Sequence, residues 1–121
     1  FVLENLDTLR KNGRLGTVKA LVATALKIKP VMGSTDEGTI IQLDQARGMK
    51  KALAKMAEQS AADAINPTEK ILAISHCNCP ERAMAVEKLI REKINVKESF
   101  IVDTAGISSM YANDGGIIVV L

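Results

Sequence analysis

Tryptophan is absent from the 121 residues, which hold only two phenylalanines and one tyrosine. A chain so poor in aromatics cannot build the stacking platform that single-stranded nucleic acid uses. Charge is also nearly balanced, with 16 basic and 14 acidic residues and a net charge of +2. No basic footprint is left to hold a phosphate backbone, so nucleic acid is not an expected partner. No apolar run reaches membrane-spanning length, and no basic-then-apolar leader opens the chain. Stable membrane insertion is therefore not expected, and a cytoplasmic setting is. Two cysteines cannot make a disulfide framework. What remains is a length suited to one α/β domain with a real core.

The single histidine and both cysteines fall within Ser75-His76-Cys77-Asn78-Cys79-Pro80-Glu81. A metal site, a redox site and a strand-to-helix turn all compete for this stretch. Zinc wants four ligands, and only three candidates stand here. Adjacent His76 and Cys77 point to opposite faces if the segment is a strand. The C-x-C spacing is tighter than the C-x-x-C of zinc or thioredoxin-like sites. Lys70 to Ile74 is an apolar run of strand length, Pro80 suits a first helical position, and Glu81 suits a first turn. The turn accounts for most residues, and no metal is expected.

The alternation of patterns predicts an α/β architecture with one mixed sheet of about six strands and helices packed on it. Phe1 to Leu3 reads as a strand. Asn5 can cap a short helix through Arg10 that Gly13 stops. Thr17 to Lys29 has helical apolar spacing. Lys29 to Ser34 and Thr39 to Ala46 make a hairpin around Asp36-Glu37-Gly38. A long helix is expected from Met49 to Ala64, a strand at Lys70 to Ser75, a helix from Pro80 to Ile94, and a strand at Ser99 to Asp103. Thr104 to Asp114 reads as a polar loop, and Ile117 to Leu121 as a last strand. Both ends look like strands cut from context, so the chain is expected to be a piece of a longer protein.

Three stretches carry candidate chemistry. In KNGRLG, Arg14 sits on a glycine-flanked turn, where a guanidinium can fork onto a carboxylate or phosphate. In QARGMKKAL, Arg47 ends a strand just before a helix start, and the two could share an anion. The competing reading of both is a solvated basic surface. The segment from Asp103 to Ile118 offers hydroxyls among small residues, yet holds no G-x-S-x-G elbow.

FVLENLDTLRKNGRLG, IKPVMGSTDEGTIIQLDQARGMKKAL, AISHCNCPERA and YANDGGIIV, in that order, resemble the C-terminal domain of the DegV family of fatty-acid-binding proteins. The resemblance runs from the first residue to the last. It implies one lobe of a two-lobed carrier that encloses a long-chain fatty acid in a tunnel and presents its carboxylate to a separate fatty-acid kinase for phospholipid synthesis. The carrier has no catalytic activity or cofactor of its own. The N-terminal lobe, which supplies the hydroxyl carboxylate holders, would be the other half of the site.

Carried over residue by residue, Arg14 and Arg47 match the family's Gly-Arg-Leu and Arg-Gly-x-Lys-Lys-Ala motifs near the tunnel mouth. Tyr111 stands where many members have a histidine followed by Thr-Gly-Pro-Gly. Here Tyr-Ala-Asn-Asp-Gly-Gly brings Gly115 and Gly116 to that place with a different partner network. His76 matches a histidine of relatives and is read as structural. Val18, Leu21, Val22, Leu26 and Ile28 form an apolar face that can line the tunnel, where each buried methylene contributes roughly 0.8 kcal/mol. Two other readings are an interaction domain that binds no lipid and a domain akin to dihydroxyacetone kinase subunits.

Overall fold

The structure is a computed structural model that describes residues 1–15 and 27–121. The expected helix from Thr17, with the candidate lining residues Val18, Leu21, Val22 and Leu26, lies mostly outside the described residues. Ile28 is described, and it belongs to a strand instead of a helix.

Helix α1 spans Asp7–Lys11, β1 Ile28–Ser34, β2 Ile40–Arg47 and α2 Met49–Asp63. A 3-10 turn at Pro67–Glu69 leads to β3 (Ile71–His76), α3 (Pro80–Arg91), β4 (Glu98–Asp103), α4 (Gly106–Ala112) and β5 (Ile117–Val120). Among the described residues there are five strands in two sheets, not one sheet of six. The antiparallel hairpin β1–β2 forms one sheet. The other has the order β4-β3-β5, with β4 parallel and β5 antiparallel to β3.

The missing sixth strand has a physical counterpart. Phe1 exchanges both backbone hydrogen bonds with Met32 of β1, at 2.6 and 2.8 Å. Val2 exchanges both with Ile117 of β5, at 3.0 and 2.9 Å. Such exchange is the antiparallel hydrogen-bonded pair. The expected strand at Phe1–Leu3 is thus a two-residue stitch that holds the sheets side by side.

Alternation across this stitch separates two cores. Val2 and Val31 face a cluster with Ala52, Met56, Leu72, Ile74, Val86 and Ile90, packed under α2 and α3. Leu3 and Met32 face a second cluster with Leu6, Leu9, Leu15, Cys77 and Ala112, on the side of α1 and α4. Helices therefore cover both sides of the strands.

Local chemistry explains the element ends. In the hairpin turn Gly38 has φ +81° and donates to the Thr35 carbonyl at 2.9 Å. Helix α1 ends in a Schellman motif. Gly13, at φ +68°, donates to Arg10 O at 3.1 Å, and Arg14 N–H reaches Leu9 O at 2.8 Å. Asn5 Oδ1 accepts from Asp7 N–H at 3.3 Å, one residue ahead of the cap position occupied by Leu6.

The stretch from Thr104 to Asp114, expected as loop, contains α4. Ile107 and Tyr111, and Ser108 and Ala112, are four apart and share faces of two helical turns. Asn113, at φ +58°, ends the helix and donates to Ser109 O at 3.0 Å. Its side chain reaches Thr8 Oγ1 at 3.4 Å, tying α4 to α1.

Candidate functional site

On the α1/α4 side an apolar cleft of about 240 Å³ opens between five elements. Phe1 and Leu3 come from the stitch, Leu9 from α1, Ile40 from β2, and Ile118 from β5. Helix α4 supplies Ile107, Ser108, Tyr111 and Ala112. Among the described residues only Ser108 and Tyr111 bring side-chain hydroxyls to this wall. The lining suits a hydrocarbon chain with little polar recognition.

Gly116 shapes the cleft from behind. A Cβ there would lie 2.8 Å from Ala112 O and 2.9 Å from Leu3 Cδ2, so only glycine lets α4 close this tightly on the strand. Gly115, at φ +89°, stands against Arg82 and Glu4, with room for no side chain. Arg82 Nη1 bonds Glu4 Oε1 at 2.6 Å and Gly115 O at 3.0 Å. Lys29 Nζ lies 3.0 Å from Glu4 Oε2. Burial pushes the Glu4 carboxyl up, but hydrogen bonds from Lys29 and Arg82 outweigh it and hold the group below its ordinary value. This network binds the N-terminal segment, β1, α3 and the α4–β5 loop together beside the cleft.

The candidate residues do not converge. Tyr111 lines the cleft, and Gly116 packs against two of its wall residues. Arg14 is exposed and folds back onto its own turn, with Nη1 3.1 Å from Asn12 O. Arg47 is exposed and stands opposite Ile28 in the hairpin register. Ile40, at the other end of β2, lines the cleft, so strand geometry puts Arg47 on the order of 20 Å from it. Ile28 is half-buried and is not among the cleft residues.

Sequence reasoning singled out Ser108 among the hydroxyls of the 103–118 segment but missed Phe1, Leu3, Leu9, Ile40, Ile107, Ala112 and Ile118. The four-residue spacing of Ile107 and Tyr111 was a local signal that could have found more of the wall. The Glu4–Lys29–Arg82 network was also missed, because its members are joined only by tertiary packing.

The SHCNCPE stretch is the strand–turn–helix expected. His76 is 5% exposed at the end of β3. Its Nδ1 accepts the Cys79 N–H at 3.1 Å, which assigns the ring proton to Nε2, 3.3 Å from Asp103 Oδ1. Both ring nitrogens thus have partners within the fold. Cys77 and Cys79 are buried free thiols, and burial pushes the Cys79 thiol up, away from nucleophilic thiolate. Among the described residues no group of three or more His, Cys, Asp or Glu side chains could hold a metal ion. Among them, too, no helix is long and apolar enough to cross a membrane.

The model of the DegV family, described as an uncharacterised protein family, matches residues 1–121. The chain belongs to the DegV family. A DegV domain-containing protein of Clostridium perfringens is 33% identical over 107 residues, covering 88% of this chain and 36% of that protein. A DegV-family protein from Ruminococcus gnavus ATCC 29149, refined with vaccenic acid, superposes with a TM-score of 0.95 at 66% identity. That match covers 99% of this chain and 42% of the other. The Streptococcus pneumoniae fatty acid kinase B3 protein, loaded with linoleic acid, superposes with a TM-score of 0.82 at 28% identity. It covers 98% of this chain and 41% of the other. The chain thus spans about two fifths of the length of these DegV proteins. The mixed α/β fold expected from the sequence is theirs.

Proposed function

We propose that this chain is a fatty-acid-binding lobe, the C-terminal half of a two-lobed carrier that offers a bound acid's carboxylate to a separate kinase. The observation that carries the reading is the apolar cleft under α4, with two hydroxyls in its wall, in a fold 66% identical to a structure refined with vaccenic acid. Burying a hydrocarbon tail there yields roughly 0.8 kcal/mol per methylene. Tyr111 and Ser108 then serve as hydrogen-bond donors near the ligand, and Gly115 and Gly116 hold the α4–β5 turn that shapes the wall. The share of each relative that the chain spans supports its being one lobe, with carboxylate holders contributed from elsewhere in the parent.

Partnership with a kinase draws its support from the neighbour named as a fatty acid kinase B3 protein. The exposure of Arg14 and Arg47, and the distance of Arg47 from the cleft, suit residues that steer an acidic kinase surface and favour a phosphorylated head group. A carrier without chemistry of its own accords with the engaged imidazole of His76 and the buried thiols. No cofactor enters this reading. The setting follows the same logic: an acyl-phosphate made for phospholipid synthesis belongs in the cytoplasm. The test is mass spectrometry of the full-length parent purified without detergent. A co-purifying fatty acid supports the carrier, and a lipid-free parent that also fails to take up added oleate overturns it.

A further inference from the structure

The turn that leaves α4 is unusual and is held from several sides. Asn113 at φ +58° and Gly115 at φ +89° both take the left-handed conformation within three residues. Asparagine tolerates that conformation better than most residues, and it persists where the surroundings over-determine it. From β3's end, the Cys77 carbonyl accepts the Gly115 N–H at 2.8 Å, and the Cys77 N–H donates to Gly116 O at 3.0 Å. From α1, Thr8 Oγ1 meets the Asn113 amide at 3.4 Å. From α3, Arg82 Nη1 donates to Gly115 O at 3.0 Å. Arg82 brings the one formal charge among these contacts, and a charged donor makes a hydrogen bond about twice as strong as a neutral one. The guanidinium is itself held in place, because Glu4 accepts from the same nitrogen at 2.6 Å and pairs with Lys29 at 3.0 Å.

We infer that Arg82 is a positioning residue for the acyl-binding cleft: it fixes the Asn113–Gly116 turn and, through that turn, the place of Tyr111 in the wall. This rests on the fatty-acid reading above and names a residue that acts on the ligand without touching it. Arg82, Glu4 and Lys29 are not among the cleft residues, whereas Tyr111 and Ala112 are, and these two are the last residues of α4 before the turn. Any influence of Arg82 on a bound acid therefore passes through the turn. Without the guanidinium the Gly115 carbonyl loses this partner, the turn relaxes, and the Tyr111 hydroxyl loses its aim while the apolar wall stays in place.

The test is a double-mutant cycle in the full-length parent, stripped of lipid and titrated with oleate in a calorimeter. Four proteins are compared: the unaltered parent, Arg82→Met, Tyr111→Phe and the double variant. Arg82→Met is expected to weaken oleate binding about fivefold, the worth of one hydrogen bond. In the Tyr111→Phe background the same change is expected to cost less than about twofold, since no hydroxyl is left to aim. Thermal unfolding checks that each variant folds. Arg82→Lys keeps a cation for Glu4 but is one bond too short to serve both acceptors, and it repeats the cycle if Arg82→Met fails to fold. Unchanged affinity in Arg82→Met overturns the inference, and so does unchanged affinity in Tyr111→Phe. An equal loss in both backgrounds also overturns it, because the arginine then only stabilises the fold. Failure of the unaltered parent to bind oleate overturns the fatty-acid reading itself, and this inference with it.

Discussion

Replacing Glu4 by glutamine should loosen four parts of the molecule at once. Its carboxylate accepts from Arg82 at 2.6 Å and pairs with Lys29 at 3.0 Å. The side chains of Glu4, Lys29 and Arg82 are 34%, 18% and 36% exposed, between a surface pair and a buried one. A surface pair is worth about 0–1 kcal/mol. Breaking a fully buried pair costs about 3–5 kcal/mol. Here Lys29 keeps the Glu4 carbonyl and Arg82 keeps the Gly115 carbonyl as acceptors, so neither cation is stranded. The expected loss is about 2 kcal/mol, near the middle of these limits. For a domain of this size that lowers Tm by about 8 °C.

The loss should also depend on pH. The folded-state carboxyl lies below its ordinary value, so the stabilisation is complete above the unfolded glutamate range, about pH 4.3. It disappears as pH falls through the lower folded value. Urea titrations of both chains at neutral and acidic pH, followed by circular dichroism, read the difference. A gap of 0.5 kcal/mol or less at neutral pH would refute the tertiary role of the network. A gap that stays constant into acid would refute its electrostatic origin.

Other outcomes follow from the same geometry. Gly116→Ala should cost about 1–3 kcal/mol in thermal unfolding, since the new methyl meets the Ala112 carbonyl and the Leu3 side chain; equal stability would mean α4 moves aside freely. In the full-length parent, Arg47→Ala should leave lipid loading intact and lower acyl-phosphate formation by the proposed kinase partner. If it abolishes loading, the arginine is an anchor, and if it changes neither quantity, the exposed guanidinium is only solvated surface.

Features set by neighbouring residues were legible in the sequence. The Asp36-Glu37-Gly38 turn, the Gly13 stop and the Pro80 helix start appear where local chemistry puts them, because each depends on a few adjacent dihedrals. Helix α4 was not legible. It has only two turns, two serines and a leading Gly106 at φ +51°, so propensity argues against it, and packing of Tyr111 and Ala112 over the second core decides for it. The division into two sheets was hidden for another reason. Pairing of Phe1 with Met32 and of Val2 with Ile117 joins residues far apart in the chain, and no local pattern encodes such partners. The cleft inherits both difficulties, since its wall comes from five elements. Tyr111 was reached through the family resemblance, while Ile28, assigned to a helical face, pairs with Arg47 in a strand.

Lipid bound per protein, measured by native mass spectrometry in the full-length parent and in its Ser108→Trp variant, tests the proposed acyl-binding cleft most directly. Ser108 is exposed on α4 and faces the cleft, so an indole there fills the space without disturbing either core. If the cleft holds the acyl chain, added oleate loads the unaltered protein and not the variant, while both unfold at the same temperature. Equal loading of the two would contradict this, because the tail would then lie somewhere other than under α4.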